Sequence, residues 1–182
     1  MIVRRRFIKS LVAGGILLPS IPQFLLGVEK GMDHSFSSIS DGSDMKEIRI
    51  ALIGKGGMGT ADTNTALSVG GVKLVAVCDL YDARLKLAKE QWGDHLFVTK
   101  DFQDILRRKD VDVVLIGTPD HWHQPIAIAA MKAGKHVYCE KPVIHKIEEG
   151  RELVDAQRAS GSYFQTGSQG MASLGNRKAR QL

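Results

Sequence analysis

The stretch that decides the fold is residues 118–142, TPDHWHQPIAIAAMKAGKHVYCEKP. Its pattern predicts the end of a buried strand, then a helix over residues 124–133, then a second strand over residues 136–139. That second strand leads into Glu140, Lys141 and Pro142. In a parallel sheet such residues lie at the carboxyl edge, where open α/β folds bind their ligands.

The same alternation of strands and helices runs through residues 47–166. Further strands are predicted at residues 47–53, 72–79, 95–98, 111–116 and 163–166. Further helices are predicted from the glycine turn to about residue 69 and at residues 82–92, 101–108 (with Asp101 as N-cap) and 146–160. Strands separated by helices of this length indicate βαβ units. The prediction is a Rossmann-type α/β domain over residues 46–169, with a doubly wound parallel sheet.

A glycine-rich turn follows the first strand, with Gly54, Gly56 and Gly59 in the spacing G-x-G-x-x-G. Glycines at these positions allow the tight turn, the approach of a pyrophosphate and close packing of helix on strand. The pyrophosphate would rest on the N-terminus of the following helix. The alternative is a tight glycine turn without a ligand.

An acidic residue at the end of the second strand completes a dinucleotide pattern. Asp79 lies twenty residues after Gly59. Its carboxylate would accept hydrogen bonds from the ribose hydroxyls of NAD and repel the 2′-phosphate of NADP. NAD is therefore the predicted cofactor, and the nearby Arg84 keeps NADP as the less favoured alternative.

Polar residues follow the strand at residues 111–116. His121 and His123 lack the further partners that a zinc site needs, so no metal site is predicted. His123 or Trp122 is expected to border the nicotinamide or its substrate, the alternative being polar residues at a helix start. The Lys141 ammonium is a candidate for orienting a substrate oxygen during hydride transfer, the alternative being a solvated strand end.

The charge distribution argues against a nucleic-acid-binding protein, and the two cysteines fit a buried core. Four of the 25 basic residues are Arg4, Arg5, Arg6 and Lys9, and the others nearly balance the 20 acidic residues. Because the chain after Lys9 carries almost no net charge, no nucleic-acid partner is predicted. The two cysteines fall in apolar strand patterns and are expected to be buried, reduced thiols.

The amino terminus is predicted to be a targeting segment. Residues 1–30 resemble a twin-arginine export signal, and prolines interrupt their apolar part, so no stable membrane span is expected. A periplasmic location follows, with anchoring by an uncleaved signal as an alternative. Residues 31–45 are rich in Ser, Asp and Gly and are predicted to be a linker.

The motifs IGKGGMG, CDLYDARL, TPDHWH and AMKAGKHVYCEKP together resemble the glucose–fructose oxidoreductase/inositol dehydrogenase (Gfo/Idh/MocA) family. The resemblance implies an NAD-dependent oxidoreductase that acts on a sugar or cyclitol hydroxyl, with Lys141 as the catalytic lysine. It assigns the cofactor contacts to Gly54, Gly56, Gly57, Met58, Gly59, Asp79, Thr118, Pro119, His123 and Glu140.

The family's second α/β domain would supply most substrate contacts and the oligomer interface. The resemblance therefore implies that residues 170–182 begin that domain, that the chain is truncated and nearly inactive, and that only a full-length form oligomerises. Two alternatives stay open. One is an NAD-dependent glycosidase of glycoside hydrolase family 109, and the other is a nucleotide-binding remnant without catalysis.

Overall fold

A computed structural model describes residues 47–168 and 178–179 of the chain. Six strands form one sheet: β1 (Ile48–Ile53), β2 (Val72–Cys78), β3 (Phe97–Thr99), β4 (Val113–Ile116), β5 (His136–Cys139) and β6 (Phe164–Thr166). The strand order is β3-β2-β1-β4-β5-β6, and every neighbouring pair is parallel. This is the order of the doubly wound dinucleotide-binding fold, which confirms the predicted fold class.

Helices connect the strands: α1 (Gly57–Leu67), α2 (Asp82–Trp92), α3 (Phe102–Arg107), a 3-10 turn (Asp120–Trp122), α4 (His123–Lys132) and α5 (Glu149–Ser160). Asp101 caps α3 as predicted, since its carboxylate accepts the Gln103 N–H at 2.9 Å. The last helix starts three residues later than predicted. There the Glu149 carboxylate accepts the N–H groups of His145 and Lys146, which fixes a turn before the helix.

The central strands are apolar because both of their faces are covered. In β1, Ala51 and Ile53 belong to one buried cluster, and Leu52 belongs to the other. In β4, Ile116 and Leu115 divide in the same way. Successive side chains of a strand point to opposite faces, so an uninterrupted apolar run is what a two-sided core requires.

Both cysteines are free and buried at the carboxyl ends of strands, as the sequence predicts. Cys78 ends β2 and Cys139 ends β5. Burial raises the pKa of each thiol to about 12. They are therefore protonated small hydrophobes in the folded chain.

The predicted signal and linker, residues 1–45, lie outside the described residues. The same holds for residue 169 and for the predicted segment 170–182 apart from residues 178–179. Among the residues that the structure does describe, no helix is both long and apolar enough to span a membrane.

Candidate functional site

The glycine turn lies where the strand order reverses, between β1 and β4. Gly54 follows β1 with a φ of +93°, a region that favours glycine. A Cβ on Gly54 would lie 2.7 Å from the Gly117 carbonyl carbon, and a Cβ on Gly59 would lie 2.2 Å from the Gly54 carbonyl oxygen. A Cβ on Gly117 would in turn lie 2.8 Å from the Gly59 Cα. We call these three residues the glycine contact; it draws the start of α1 against the ends of β1 and β4.

Gly117 was missed by the sequence reasoning, which named only the glycines of the turn after β1. Its signal was a glycine directly after the buried apolar run of β4. Spacing alone does not reveal its role, because the requirement comes from Gly54 and Gly59, far away in the chain.

Gly56 differs from the three glycines of that contact. Its backbone is extended (φ −83°, ψ −171°), and of the described atoms a Cβ there would find only the Gly117 carbonyl oxygen within 4 Å, at 3.9 Å. Gly56 is also the N-cap of α1, and no side chain from residues 47–168 or 178–179 caps this helix. The first N–H groups of a helix have no partner within it, so those of Gly57, Met58 and Gly59 are placed to bind an anion. The fold therefore leaves space beside Gly56 in which a ligand could lie close to the backbone.

Asp79 lies at the end of β2 and joins two turns. Its Oδ2 accepts the Lys55 N–H at 2.8 Å, and its Oδ1 accepts the Tyr81 N–H at 3.0 Å. Arg84 donates to Oδ2 at 3.3 Å and lies over the Tyr81 ring. The Asp79 side chain is only 4% exposed, whereas that of Arg84 is 46% exposed. The carboxylate therefore fixes the glycine turn against the end of β2 while facing the cleft.

Lys55 attaches the same glycine turn to α2. Its ammonium lies 3.3 Å from the Gln91 Oε1 and 4.9 Å from the centre of the Trp92 ring. Burial lowers the pKa of this lysine, although the Asp79 charge opposes the shift. The Trp92 indole N–H donates to Asn64 of α1 at 3.0 Å, so the turn and both helices form one connected unit.

A cavity of about 480 Å³ opens between these turns at the carboxyl edge of the sheet. Its lining includes Gly54, Asp79, Thr118, Pro119 and Trp122. The Thr118 Oγ1 is buried and has no hydrogen-bond partner among the described residues. A volume of this size with a few polar groups is typical of a small-molecule site.

Aromatic side chains form one wall of the cavity. Trp122 is 45% exposed and meets Phe102 edge to face, with ring centres 6.3 Å apart. His121 lies beside Trp122, with ring centres 6.0 Å apart. The 3-10 turn at Asp120–Trp122 displays these rings, so of the two residues expected to border the ligand, Trp122 lies on the cleft.

His123 is placed differently from the expectation that it lines the nicotinamide side. It is 1% exposed, and its ring lies between two backbone carbonyl groups. Nδ1 is 2.6 Å from the Pro142 oxygen, and Nε2 is 2.8 Å from the Thr118 oxygen. With both ring nitrogens occupied, this side chain supports the site from behind the lining of the cavity.

The Glu140-Lys141-Pro142 segment follows β5 at the same edge of the sheet. Glu140 is 4% exposed, accepts the Tyr138 hydroxyl at 3.3 Å, and lies so close to Gly167 that a Cβ there would overlap its carboxylate. Lys141 is exposed, and among the described residues no hydrogen bond or ion pair holds its ammonium. Glu140 is thus fixed in the fold, and Lys141 is available to a ligand.

The part of the chain that the structure describes contains no group of three or more His, Cys, Asp or Glu side chains that could hold a metal ion. Asp79 and Thr118 line the cavity itself, whereas the start of α1 and Lys141 lie outside its lining, on turns that leave the same edge of the sheet. The polar groups at this edge suit an organic ligand. They are the N–H groups at the start of α1, the Asp79 carboxylate, the Thr118 hydroxyl and the Lys141 ammonium.

Comparison with known proteins gives a family match over this whole domain. Residues 48–168 match the Gfo/Idh/MocA model, described as an oxidoreductase family with an NAD-binding Rossmann fold. A glycosyl hydrolase family 109 protein of Solibacter usitatus is 37% identical over an alignment of 124 residues, and the match covers 62% of this chain and 28% of that protein.

Solved structures agree with the family match. The myo-inositol 2-dehydrogenase of Lactobacillus plantarum superposes with a TM-score of 0.70 at 30% identity, over 75% of this chain and 40% of that one. The scyllo-inositol dehydrogenase of Lactobacillus casei, with bound NAD(H) and scyllo-inositol, gives a TM-score of 0.71 at 32% identity, over 75% of this chain and 41% of that one. This chain spans about a quarter of the length of the curated relatives it matches.

Proposed function

Since the chain belongs to the Gfo/Idh/MocA family of NAD-binding Rossmann oxidoreductases, we propose that it serves hydride transfer between NAD and a sugar or cyclitol hydroxyl. The observation that carries the proposal is the contrast within the glycine turn. Contacts within the described part of the chain require glycine at Gly54 and Gly59, but none of them requires it at Gly56. A bound pyrophosphate accounts for glycine there.

The residues present fit a dinucleotide. The N–H groups at the start of α1 would bind the pyrophosphate beside Gly56. The Asp79 carboxylate has the position and charge to accept hydrogen bonds from ribose hydroxyls. The buried Thr118 hydroxyl would gain in the ligand the partner that it lacks among the described residues. When bound, NAD supplies the nicotinamide carbon that accepts or gives the hydride.

Asp79 favours NAD over NADP in this proposal. Its carboxylate is held in place by two backbone N–H groups, so it would not readily turn away from a 2′-phosphate. Arg84 already pairs with that carboxylate. The positive charge of Arg84 is therefore partly neutralised by Asp79 and is less able to attract a 2′-phosphate.

Lys141 is the residue we assign to the substrate. Its exposed ammonium stands at the carboxyl edge of the sheet, two residues beyond the buried end of β5. It would donate a hydrogen bond to the oxygen of the carbon that exchanges the hydride. The solved relative that contains both NAD(H) and scyllo-inositol supports a cyclitol or sugar as the substrate class.

A second candidate function is glycoside cleavage, which the curated relatives favour. The Solibacter usitatus protein and a 38% identical protein of a Shewanella species both bear the name glycosyl hydrolase family 109. In that case NAD would oxidise the glycoside only transiently and would be regenerated before the product leaves. Net NADH formation with free sugars or cyclitols distinguishes the dehydrogenase, whereas sugar release from a glycoside without net NADH distinguishes the hydrolase.

Titration calorimetry of the chain with NAD and with NADP tests the premise shared by both candidates. We expect saturable NAD binding and weaker NADP binding. Absence of measurable binding by either dinucleotide would refute the proposed site. Equal affinity for the two would refute the role given to Asp79 and leave the site itself standing.

We also propose that residues 1–30 direct export by the twin-arginine route. Replacing Arg4, Arg5 and Arg6 together by lysine keeps the charge and removes the paired guanidinium groups. The exported fraction of the chain should fall in a cell fractionation assay. An unchanged fraction would refute this proposal.

A further inference from the structure

The buried ring of His123 connects two turns at the carboxyl edge of the sheet. His123 is the first residue of α4. Its Nε2 contacts the carbonyl oxygen of Thr118, in the turn after β4, and its Nδ1 contacts that of Pro142, in the turn after β5. One side chain from a helix thus bridges the loops of two neighbouring strands.

The bridge lies just beyond the end of the strand pairing. The register of β4 and β5 ends at Ile116 and Cys139, and the Glu140 N–H then donates to the Ile116 oxygen at 2.9 Å. After that point the chains diverge into their turns, one carrying Thr118 and the other Lys141. The His123 contacts continue the connection where the strand ladder stops.

We infer that His123 is a positioning residue that sets the Thr118 turn and the Lys141 turn at a fixed spacing. This inference rests on the proposed function, in which the first turn binds the cofactor and the second carries the lysine that orients the substrate. Loss of the bridge lets the two turns move apart, so cofactor affinity falls although no ligand contact has been removed.

The two contacts can be separated chemically. A carbonyl oxygen only accepts a hydrogen bond, and a neutral imidazole carries one N–H, so the ring donates to the Pro142 oxygen in one tautomer and to the Thr118 oxygen in the other. An asparagine amide can place its N–H₂ near the Nδ1 position, towards Pro142, and a glutamine amide can place it near the Nε2 position, towards Thr118. A phenylalanine keeps the ring volume and removes both contacts.

The experiment measures NAD affinity and thermal stability of the chain with His123→Phe, well below the midpoint of unfolding. We expect Kd for NAD to rise about tenfold, which corresponds to about 1.4 kcal/mol. His136→Phe is the matched control, because the His136 Nδ1 accepts the Tyr163 N–H at the opposite edge of the sheet. It should lower the melting temperature and leave Kd within about twofold, a difference of about 0.4 kcal/mol.

Conservative variants provide a test in which NAD affinity would not recover if His123 had only a structural role. His123→Asn and His123→Gln should each recover part of the NAD affinity lost in His123→Phe. A folded His123→Phe variant that binds NAD as the parent does would overturn the inference. If that variant does not fold, parent-like Kd values in both amide variants overturn it instead.

Nuclear magnetic resonance of the unmodified chain provides a measurement independent of folding defects. Titration with NAD should shift the ¹⁵N signals of the His123 ring together with the amide signals of Thr118 and Lys141. A ring signal that stays fixed while Gly56 responds would contradict the bridge. A parent chain that binds no NAD would instead refute the proposed function, so the two failures are distinguishable.

Discussion

Replacing Gly56 by alanine should separate ligand binding from folding. A methyl group there would lie 3.9 Å from its nearest protein atom, so the fold has room for it. Alanine caps a helix less well than glycine, at a cost of about 1 kcal/mol or less. A less flexible unfolded chain offsets this by about 0.4–1 kcal/mol at a backbone conformation that alanine can adopt. The free energy of unfolding should therefore stay nearly unchanged.

The same methyl group would occupy the approach of the pyrophosphate to the start of α1. Losing one hydrogen bond to a charged group costs about 1.5–3 kcal/mol. Kd for NAD should accordingly rise about 10- to 100-fold in titration calorimetry. Urea denaturation of the same sample checks that Gly56→Ala is folded.

Two further glycine variants complete the test. Gly59→Ala would push its Cβ into the Gly54 carbonyl oxygen. Overpacking costs about 1–3 kcal/mol and occasionally more, and the upper end is expected here because the obstacle is a backbone atom. That is a large share of the roughly 5–15 kcal/mol that stabilises a domain. Gly70→Ala is the control, since open space surrounds Gly70 and its turn before β2 is away from the cavity. A folded Gly56→Ala variant with the parent's Kd would refute the assignment of Gly56 to the ligand.

Other expected outcomes follow from Asp79, Lys141 and the cysteines. Asp79→Asn should weaken NAD binding more than NADP binding in calorimetry, because it removes the charge that repels a 2′-phosphate. Equal weakening of the two would contradict the role of Asp79 in selecting NAD. Lys141→Met should leave the free energy of unfolding within about 0.5 kcal/mol, as for other exposed positions, and leave Kd for NAD unchanged. In an enzyme that contains this domain and turns over a sugar or cyclitol, it should lower kcat, and an unchanged kcat would make Lys141 a solvated strand end. Burial raises the pKa of Cys78 and Cys139 from 9.0 to about 12, so the folded chain keeps protons that the unfolded chain loses. Urea titrations should therefore show stability falling as the pH rises from about 9 towards 12, and a variant with both cysteines replaced by alanine should lose that part of the pH dependence.

The fold could be predicted because its signals are local. Apolar runs between turn residues located all six strands, and the bounds of α2 and β5 agree with the predicted ones. The prediction was less accurate at β3, which covers Phe97–Thr99 instead of residues 95–98. That strand lies at the edge of the described sheet, where β2 is its one partner among the described strands, so its ends depend on the register with Ala76–Cys78.

The candidate site could be predicted only in part. Glycine spacing and Asp79 are adjacent to predicted element ends, so a pattern can find them. The position of the His123 ring could not be predicted, because the 3-10 turn before α4 determines which way the first helical residue points. The engagement of Arg84 with Asp79 likewise depends on how the Arg84 side chain is oriented at the start of α2.

The contact among Gly54, Gly59 and Gly117 also limits how this chain can change over evolutionary time. Each partner already has the smallest possible side chain, so no truncation at one position can compensate for a gain at another. Reversion is then the simplest route back after a damaging change, and second-site suppressors must shift the backbone of β1, β4 or α1. These three positions should therefore accept substitutions more rarely than Gly56 in a lineage that had lost its dinucleotide.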